Sequence, residues 1–180
     1  MPNVLILYAS TEGQTARIAD RIAQTLRQLG HQAEIRAADD LKSGFDPAQY
    51  GGIILGAAIH YGHHPAYLRP LVRRCRDALE AIPSAFFSVS LSGGGPGAKP
   101  EAARRYLDVF LRQVAWHPEQ AVSFGGALQF SKYAAWKRML MVMIVGYAGG
   151  DTDTARDYEY TDWAAVEAFS ASFAKRLGPS

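Results

Sequence analysis

The fold is decided by one stretch near the N-terminus, Val4-Leu5-Ile6-Leu7-Tyr8-Ala9-Ser10-Thr11-Glu12-Gly13-Gln14-Thr15. Its first five residues form an unbroken apolar run, which is typical of a strand that helices cover on both faces. A polar turn follows, and beyond it apolar residues recur at three- and four-residue spacing from Ile18 to Leu29. The stretch therefore predicts a buried strand, a tight turn and an amphipathic helix in immediate succession.

The same succession repeats along the chain. Further strands are predicted at residues 32–37, 52–59, 85–91 and 121–124, the last running on towards Leu128. The pattern also predicts helices over about 66–79 and from Pro100, and a final helix capped by Thr161. Strands that alternate with helices imply parallel pairing with right-handed crossovers, because parallel neighbours cannot be joined by a tight hairpin. We therefore expect a three-layer α/β fold around a doubly wound, five-stranded parallel sheet.

The composition indicates one domain and excludes some partners. A chain of 180 residues with 48% hydrophobic content can bury one substantial core, so residues 1–180 are expected to form a single domain. Lys and Arg number 19 against 17 Asp and Glu, without a charged tail, so nucleic acid is not an expected partner. Cys75 is the single cysteine, and no secretory leader precedes the first strand, so a cytoplasmic location is expected.

The turn after the first strand has the chemistry of a phosphate site. A turn that aims backbone N–H groups and hydroxyls at an anion, at a helix N-terminus, binds phosphate without a lysine. Ser10, Thr11, Glu12, Gly13, Gln14 and Thr15 form this turn, and Gly13 permits close backbone approach. The chain lacks here both a Gly-Lys-Ser/Thr ending and a dinucleotide spacing, which favours FMN as the cofactor. The alternative is a polar strand-to-helix turn without a ligand.

The loops after the third and fourth strands are predicted to flank the flavin ring. Ligands of doubly wound sheets lie beyond the carboxyl ends of the strands, where the strand order reverses. An aromatic ring can stack on the flavin, and small residues leave free N–H groups for its polar edge. The candidate residues are Ala58, Ile59, His60, Tyr61 and Gly62 after the third strand, and Ser90, Leu91, Ser92, Gly93 and Gly94 after the fourth.

Histidines cluster in the first of these loops. His60, His63 and His64 have no carboxylate or thiol nearby in sequence, so no metal is predicted. We expect His63 and Tyr61 to line the flavin or substrate pocket, where a histidine can exchange protons near neutral pH. Exposure of these side chains to solvent is the alternative.

Residues 129–160 form a predicted insertion between the fifth strand and the last helix. It contains Lys132, Lys137 and Arg138, followed by residues 139–150 without a charge. Twelve residues of helix reach only about 18 Å, short of the roughly 30 Å of a hydrocarbon core, so the segment does not span a bilayer. Residues 132–150 are therefore expected to lie in the membrane interface, with packing on the domain or on a second subunit as the alternative.

Ser10-x-x-Gly13-x-Thr15 resembles the phosphate signature of flavodoxins, whose sheet order is 2-1-3-4-5. Glu12 occupies the position of a flavodoxin threonine. A carboxylate is unfavourable beside a phosphate, so we expect Glu12 to point to solvent or to cap a neighbouring N–H group.

A narrower resemblance covers nearly the whole chain. It comprises Gly-Gln-Thr in the turn and residues 56–63, 83–89, 125–128, 149–154 and 160–163, which are together similar to the menaquinone-dependent protoporphyrinogen oxidase family. The resemblance implies FMN-dependent oxidation of protoporphyrinogen IX to protoporphyrin IX in heme synthesis, with menaquinone or another quinone as electron acceptor, by a peripheral membrane enzyme. Cations attract the substrate propionates, which makes Lys132, Lys137 and Arg138 candidate contacts beside His63.

Two other functions stay open at this point. A flavodoxin electron carrier is disfavoured, because such carriers are acidic and this sequence has a pI of about 8.7. An NAD(P)H-dependent quinone reductase would differ in reacting with pyridine nucleotides. The residues themselves assign no catalytic base.

Overall fold

The computed structural model describes residues 3–10, 12–41, 45–147 and 149–177. A parallel sheet of order β2-β1-β3-β4-β5 forms its centre, as predicted. The strands are β1 (Asn3–Ala9), β2 (Gln32–Ala37), β3 (Gly52–Ala58), β4 (Ser84–Ser90) and β5 (Gln120–Gly125). The helices are α1 (Gln14–Gln28), α2 (Leu68–Ala81), α3 (Pro100–Val114), α4 (Ala135–Tyr147) and α5 (Trp163–Ala174).

Each face of the sheet buries its own apolar core. Ile18, Ile22 and Leu26 of α1 pack with α5 side chains on one face, while α2 and α3 cover the other around Phe86 and Phe110. At Gly56 the backbone of β3 packs directly against the Phe87 side chain of β4. An added Cβ at Gly56 would lie 1.9 Å from the ring of Phe87. This packing fixes the carboxyl ends of β1, β3 and β4 as one rigid edge.

The insertion is a folded unit. A short second sheet pairs β6 (Ala127–Leu128) antiparallel with β7 (Tyr158–Glu159), and α4 lies between them in sequence. Leu128, Phe130, Tyr133 and Val145 form a small core that fastens α4 to this sheet. The segment 129–160 therefore begins and ends beside the same part of the main sheet, because β6 and β7 pair with each other.

Three predicted boundaries were wrong in detail. The fifth strand ends at Gly125, because Leu128 belongs to β6 and pairs with Tyr158. The second helix begins at Leu68 rather than near residue 66. Asp162, not Thr161, caps α5 by accepting a hydrogen bond from the Ala165 N–H at 3.0 Å.

Candidate functional site

A cavity of about 610 Å³ opens at the carboxyl edge of the sheet. Its volume lies in the range of roughly 300–1,000 Å³ that is usual for small-molecule sites. The turns after β1, β3, β4 and β5 form its walls, and α4 of the insertion adds another. The lining residues are Ser10, Glu12, Gln14, Thr15, Ala58, Ile59, His60, Tyr61, Gly62, His63, His64, Pro65, Val89, Ser90, Leu91, Ser92, Tyr106, Gly126, Ala127, Tyr133, Lys137, Met141 and Ile144.

The N-terminus of α1 lies at this cavity, where Gln14 and Thr15 belong to the lining. Ser10 Oγ accepts a hydrogen bond from the Gly13 N–H at 2.9 Å, and Gly13 has a φ of 96° that favours glycine. No side chain in the described part of the chain caps the helix, and its first turn has no acidic residue. Thr15 is 1% exposed and lines the cavity, yet its Oγ1 has no hydrogen-bond partner among the described residues. This donor set fits a phosphate group.

Gln14 supports the turn through its side chain. Its Nε2 donates to Thr161 Oγ1 at 2.8 Å, and that hydroxyl donates to the carbonyl of Gly125 at 2.8 Å. The amide side chain of Gln14 is therefore hydrogen-bonded to the segment that follows β7. For an anion, Gln14 therefore offers its backbone N–H rather than its side chain.

The loop after β3 is a tight hairpin turn. His60 and His63 exchange backbone hydrogen bonds of 2.9 and 3.0 Å, while Tyr61 and Gly62 have φ values of 50° and 82°. Positive φ at both central residues defines a type I′ turn. The turn presents Tyr61 at the cavity with 70% of its surface exposed, where an aromatic ring can stack on a ligand.

His64 forms the inner wall of the same loop. Its Nε2 lies 2.9 Å from Ser88 Oγ, and its ring centroid lies 4.9 Å from that of Phe110. Burial, with a smaller contribution from the neighbouring His63, lowers the pKa of His64 to about 4. His64 is therefore neutral at physiological pH.

The other loop histidines have different surroundings. His63 is exposed at the cavity, and His60 is partly buried with its pKa lowered chiefly by burial. Within the described ranges, no group of three or more histidine, cysteine, aspartate or glutamate side chains is arranged to hold a metal ion.

The loop after β4 divides into two parts. Ser90, Leu91 and Ser92 line the cavity, whereas Gly93 and Gly94 do not. An added Cβ on Gly93 would lie 2.3 Å from the Phe124 carbonyl oxygen, and one on Gly94 would lie 2.6 Å from that of Tyr160. These glycines thus allow the loop to pack against β5 and the end of the insertion.

Glu12 contradicts the expectation that it points to solvent or caps an N–H group. It accepts a hydrogen bond from Tyr133 Oη at 2.6 Å and forms an ion pair with Lys137 Nζ at 2.7 Å. The Lys137 ammonium also lies 4.6 Å from the centroid of the Tyr133 ring. Burial and the hydrogen bond to Glu12 raise the pKa of Tyr133, so its hydroxyl stays protonated.

The remaining candidate residues are placed differently. Lys137 lines the cavity, but Lys132 is exposed and neither it nor Arg138 belongs to the lining. Thr11 lies outside the described residues. Sequence reasoning missed Tyr106, Met141 and Ile144 as cavity residues, because only the packing of α3 and α4 brings them to the sheet edge.

The sequence and the fold match a known class of proteins. A family model described as a flavodoxin domain matches residues 5–155. The crystal structure of oxidised flavodoxin 1 from Bacillus cereus has the same fold, with a TM-score of 0.54 and 20% identity, covering 98% of this chain and 99% of that chain. The chain is thus a flavodoxin-domain protein, and this class supports the binding of a flavin, FMN.

Two relatives narrow this class. Both are named protoporphyrinogen IX dehydrogenase (quinone). The relative from Leishmania major is 38% identical over 176 residues, which are 96% of this chain and 75% of the relative. The relative from Escherichia coli strain K12 is 32% identical over 172 residues, 94% of this chain and 93% of the relative. The chain belongs to the protoporphyrinogen IX dehydrogenase (quinone) family.

We predict that Thr15→Val weakens FMN binding by about ten- to a hundredfold, the value of one hydrogen bond to a charged group. The free energy of unfolding without FMN should change by less than about 1 kcal/mol, because the Thr15 hydroxyl bonds to none of the described residues. Quenching of flavin fluorescence measures the affinity. Thr25→Val, in the same helix but bonded to Arg21 O, should bind FMN normally; equal affinity of both variants would contradict the assignment.

A second prediction concerns acid stability. In the unfolded chain His64 takes up a proton near pH 6.5, whereas in the folded protein it takes up a proton only near pH 4. The stability that this difference supports is complete above pH 6.5 and is lost as the pH falls. Between pH 7 and pH 5 the loss amounts to about 2 kcal/mol.

Urea unfolding at both pH values measures this loss. His64→Gln should lose correspondingly less stability on acidification than the unsubstituted protein. His117→Gln removes an exposed histidine and serves as the control. An unchanged pH dependence in His64→Gln would show that the buried imidazole is not the cause.

Proposed function

We propose that this chain uses FMN to oxidise protoporphyrinogen IX to protoporphyrin IX and passes the electrons to a quinone. One observation carries this function: relatives with the name of this activity align with 96% and 94% of the chain. So few residues lie outside these alignments that the insertion must lie largely within them. The likeness therefore extends beyond the flavodoxin-type sheet to the segment that forms the outer wall of the cavity.

The chain's own residues divide the binding of FMN among three loops. The N–H groups at the start of α1, with the Ser10 and Thr15 side chains, hold the phosphate. Ala58 to Gly62 border one side of the isoalloxazine, and Ser90 to Ser92 border the other. When bound, the flavin supplies the two-electron acceptor for the reaction. The role of the protein is to orient the substrate against it and to exclude water.

The insertion provides the side of the cavity that faces the substrate. Met141 and Ile144 project from α4 into the lining, and Leu91 adds apolar surface from the β4 loop. An apolar tetrapyrrole with anionic propionates requires apolar walls and a few cations at their rim. Lys137 and His63 line the cavity and are the proposed propionate contacts. Lys132 and Arg138 lie outside the lining, where they suit anionic lipid headgroups better.

The outer face of α4 suits a membrane interface. Trp136, Met139, Met143, Ile144 and Tyr147 are all exposed, and Tyr147 retains 95% of its accessible surface. Trp136, Met139, Met143 and Tyr147 recur at a spacing of three and four residues and so form one stripe opposite the buried Val145, with Ile144 at its edge. None of the helices in the described part of the chain is both long and apolar enough to cross a bilayer.

We infer that this stripe rests in the cytoplasmic membrane surface as a peripheral contact. At 13 residues, α4 is about 20 Å long and can lie in the interface. Ile144 belongs both to the stripe and to the cavity lining, which makes an apolar path from lipid to the flavin. A lipid-soluble quinone could take this path.

Anaerobic mixing of the FMN-loaded protein with protoporphyrinogen IX tests the activity. The flavin absorbance should bleach while porphyrin fluorescence appears, and a quinone should restore the flavin colour. Dithionite confirms that the flavin is reducible, and NADPH should leave it oxidised. Bleaching by NADPH without bleaching by porphyrinogen would favour a pyridine-nucleotide-dependent quinone reductase instead.

Sedimentation with anionic lipid vesicles tests the membrane contact. Replacing Met139, Met143 and Tyr147 by serine should weaken vesicle binding by at least about tenfold, because each loses apolar area that the interface buries. None of these three lines the cavity, so FMN binding should persist. Leu29→Ser, at an exposed apolar residue elsewhere, is the control. A stable dimer that the triple variant dissociates, without vesicle binding, would assign the stripe to a second subunit.

A further inference from the structure

The phosphate turn contains a carboxylate whose partners both come from the insertion. Glu12 bonds to Tyr133 Oη and Lys137 Nζ, which follow it by 121 and 125 residues in the sequence. We call Glu12, Tyr133 and Lys137 the carboxylate junction. Its ion pair is shielded from solvent, since the side chains of Lys137 and Glu12 keep only 30% and 22% of their accessible surface.

A carboxylate in this position works against an anion-binding turn. Glu12 precedes the N-terminus of α1 directly and lines the same cavity as Thr15. Like charges repel strongly at such short range, and partial burial weakens the screening by salt. The turn therefore needs a positive charge beside Glu12 if it is to hold a phosphate dianion tightly.

Lys137 supplies that charge from α4. Its ammonium has three N–H donors, of which one reaches Glu12 Oε1, and the same ammonium lies 4.6 Å from the centroid of the Tyr133 ring. Tyr133 is buried in the small core of the insertion, so it ties the ion pair to the position of α4 as a whole. Lys137 lies beside Glu12 only when the insertion is docked on the phosphate turn.

We propose that the carboxylate junction couples FMN binding to docking of the insertion. Lys137 neutralises Glu12 and so raises the affinity of the turn for the FMN phosphate. Linkage is reciprocal, so bound FMN stabilises the docked insertion by the same factor. The wall that faces substrate and membrane is then completed when the cofactor is in place. This coupling rests on the proposed FMN site and concerns the assembly of that site rather than its reaction.

Substitutions that remove one or both charges of the junction distinguish this role from simple packing. Lys137→Met leaves the Glu12 carboxylate uncompensated and should weaken FMN binding about tenfold. Adding Glu12→Gln removes the repelling charge, so the double variant should return to within about threefold of the unsubstituted affinity. Glu12→Gln alone should bind FMN no more weakly than the unsubstituted protein. Titration of flavin-free protein with FMN, followed by fluorescence quenching, measures all of them.

Hydrogen exchange of residues 130–147 gives a second readout, independent of activity. Without FMN, Glu12→Gln and Lys137→Met should each speed exchange in this segment, and FMN should slow it in the unsubstituted protein. Lys175→Met is the matched control. It removes a lysine at the end of α5, which packs near the start of β3 at the opposite edge of the sheet, and should change neither measurement.

Three results would overturn the coupling while FMN still binds: normal affinity in Lys137→Met, failure of Glu12→Gln to restore it, or exchange rates that neither substitution changes. If the unsubstituted protein itself binds no FMN, the proposed function fails and the coupling fails with it. The two failures are therefore distinguishable by the first titration.

Discussion

The candidate site depends on the place where the buried strand β1 meets the N-terminus of α1. β1 is buried on both faces, so its carboxyl end, which leads into α1, is held at a fixed place in the sheet. Among the described residues, no side chain caps the helix and none bonds the buried Thr15 hydroxyl. Unsatisfied donors at a helix N-terminus are costly unless water or an anion meets them. The fold thus fixes the end of the cavity where we propose that the phosphate binds, and the other loops are arranged around it.

The insertion changes what this flavodoxin-type edge can accommodate. An exposed edge with short loops suits a flavin that exchanges electrons with another protein. Here α4 stands across the edge, and its Met141 and Ile144 enclose space in front of the β3 and β4 loops. The helix is apolar on its outer side as well, where Met139, Met143 and Tyr147 face outward. Apolar residues on two parts of its surface suit a helix that lines the cavity and also makes the proposed membrane contact.

Prediction from sequence succeeded where the physics is local. Apolar runs predicted the five strands, and their alternation with helical spacing predicted parallel pairing, while the resemblance to flavodoxins implied the order of the sheet. Residues that follow strand ends, such as Thr15, Tyr61 and Ser92, were predicted at the cavity because parallel strands end at one edge. The prediction was less complete where a contact joins distant segments. Gly93 and Gly94 were predicted to contact the flavin from their position after β4, yet they pack closely against Phe124 and Tyr160 respectively and lie outside the cavity lining.

Glu12 illustrates the difference between what the sequence by itself determined and what only the tertiary structure decided. The sequence determined the fold class, the phosphate turn and the presence of an apolar insertion, because each follows from the spacing of neighbouring residues. It could not determine the partners of Glu12, since Tyr133 and Lys137 are more than a hundred residues away and no spacing rule relates them. Only the docking of α4 brings these charges together. A partly buried carboxylate bonds to the donors that the folded chain places beside it, and the whole fold determines which donors those are.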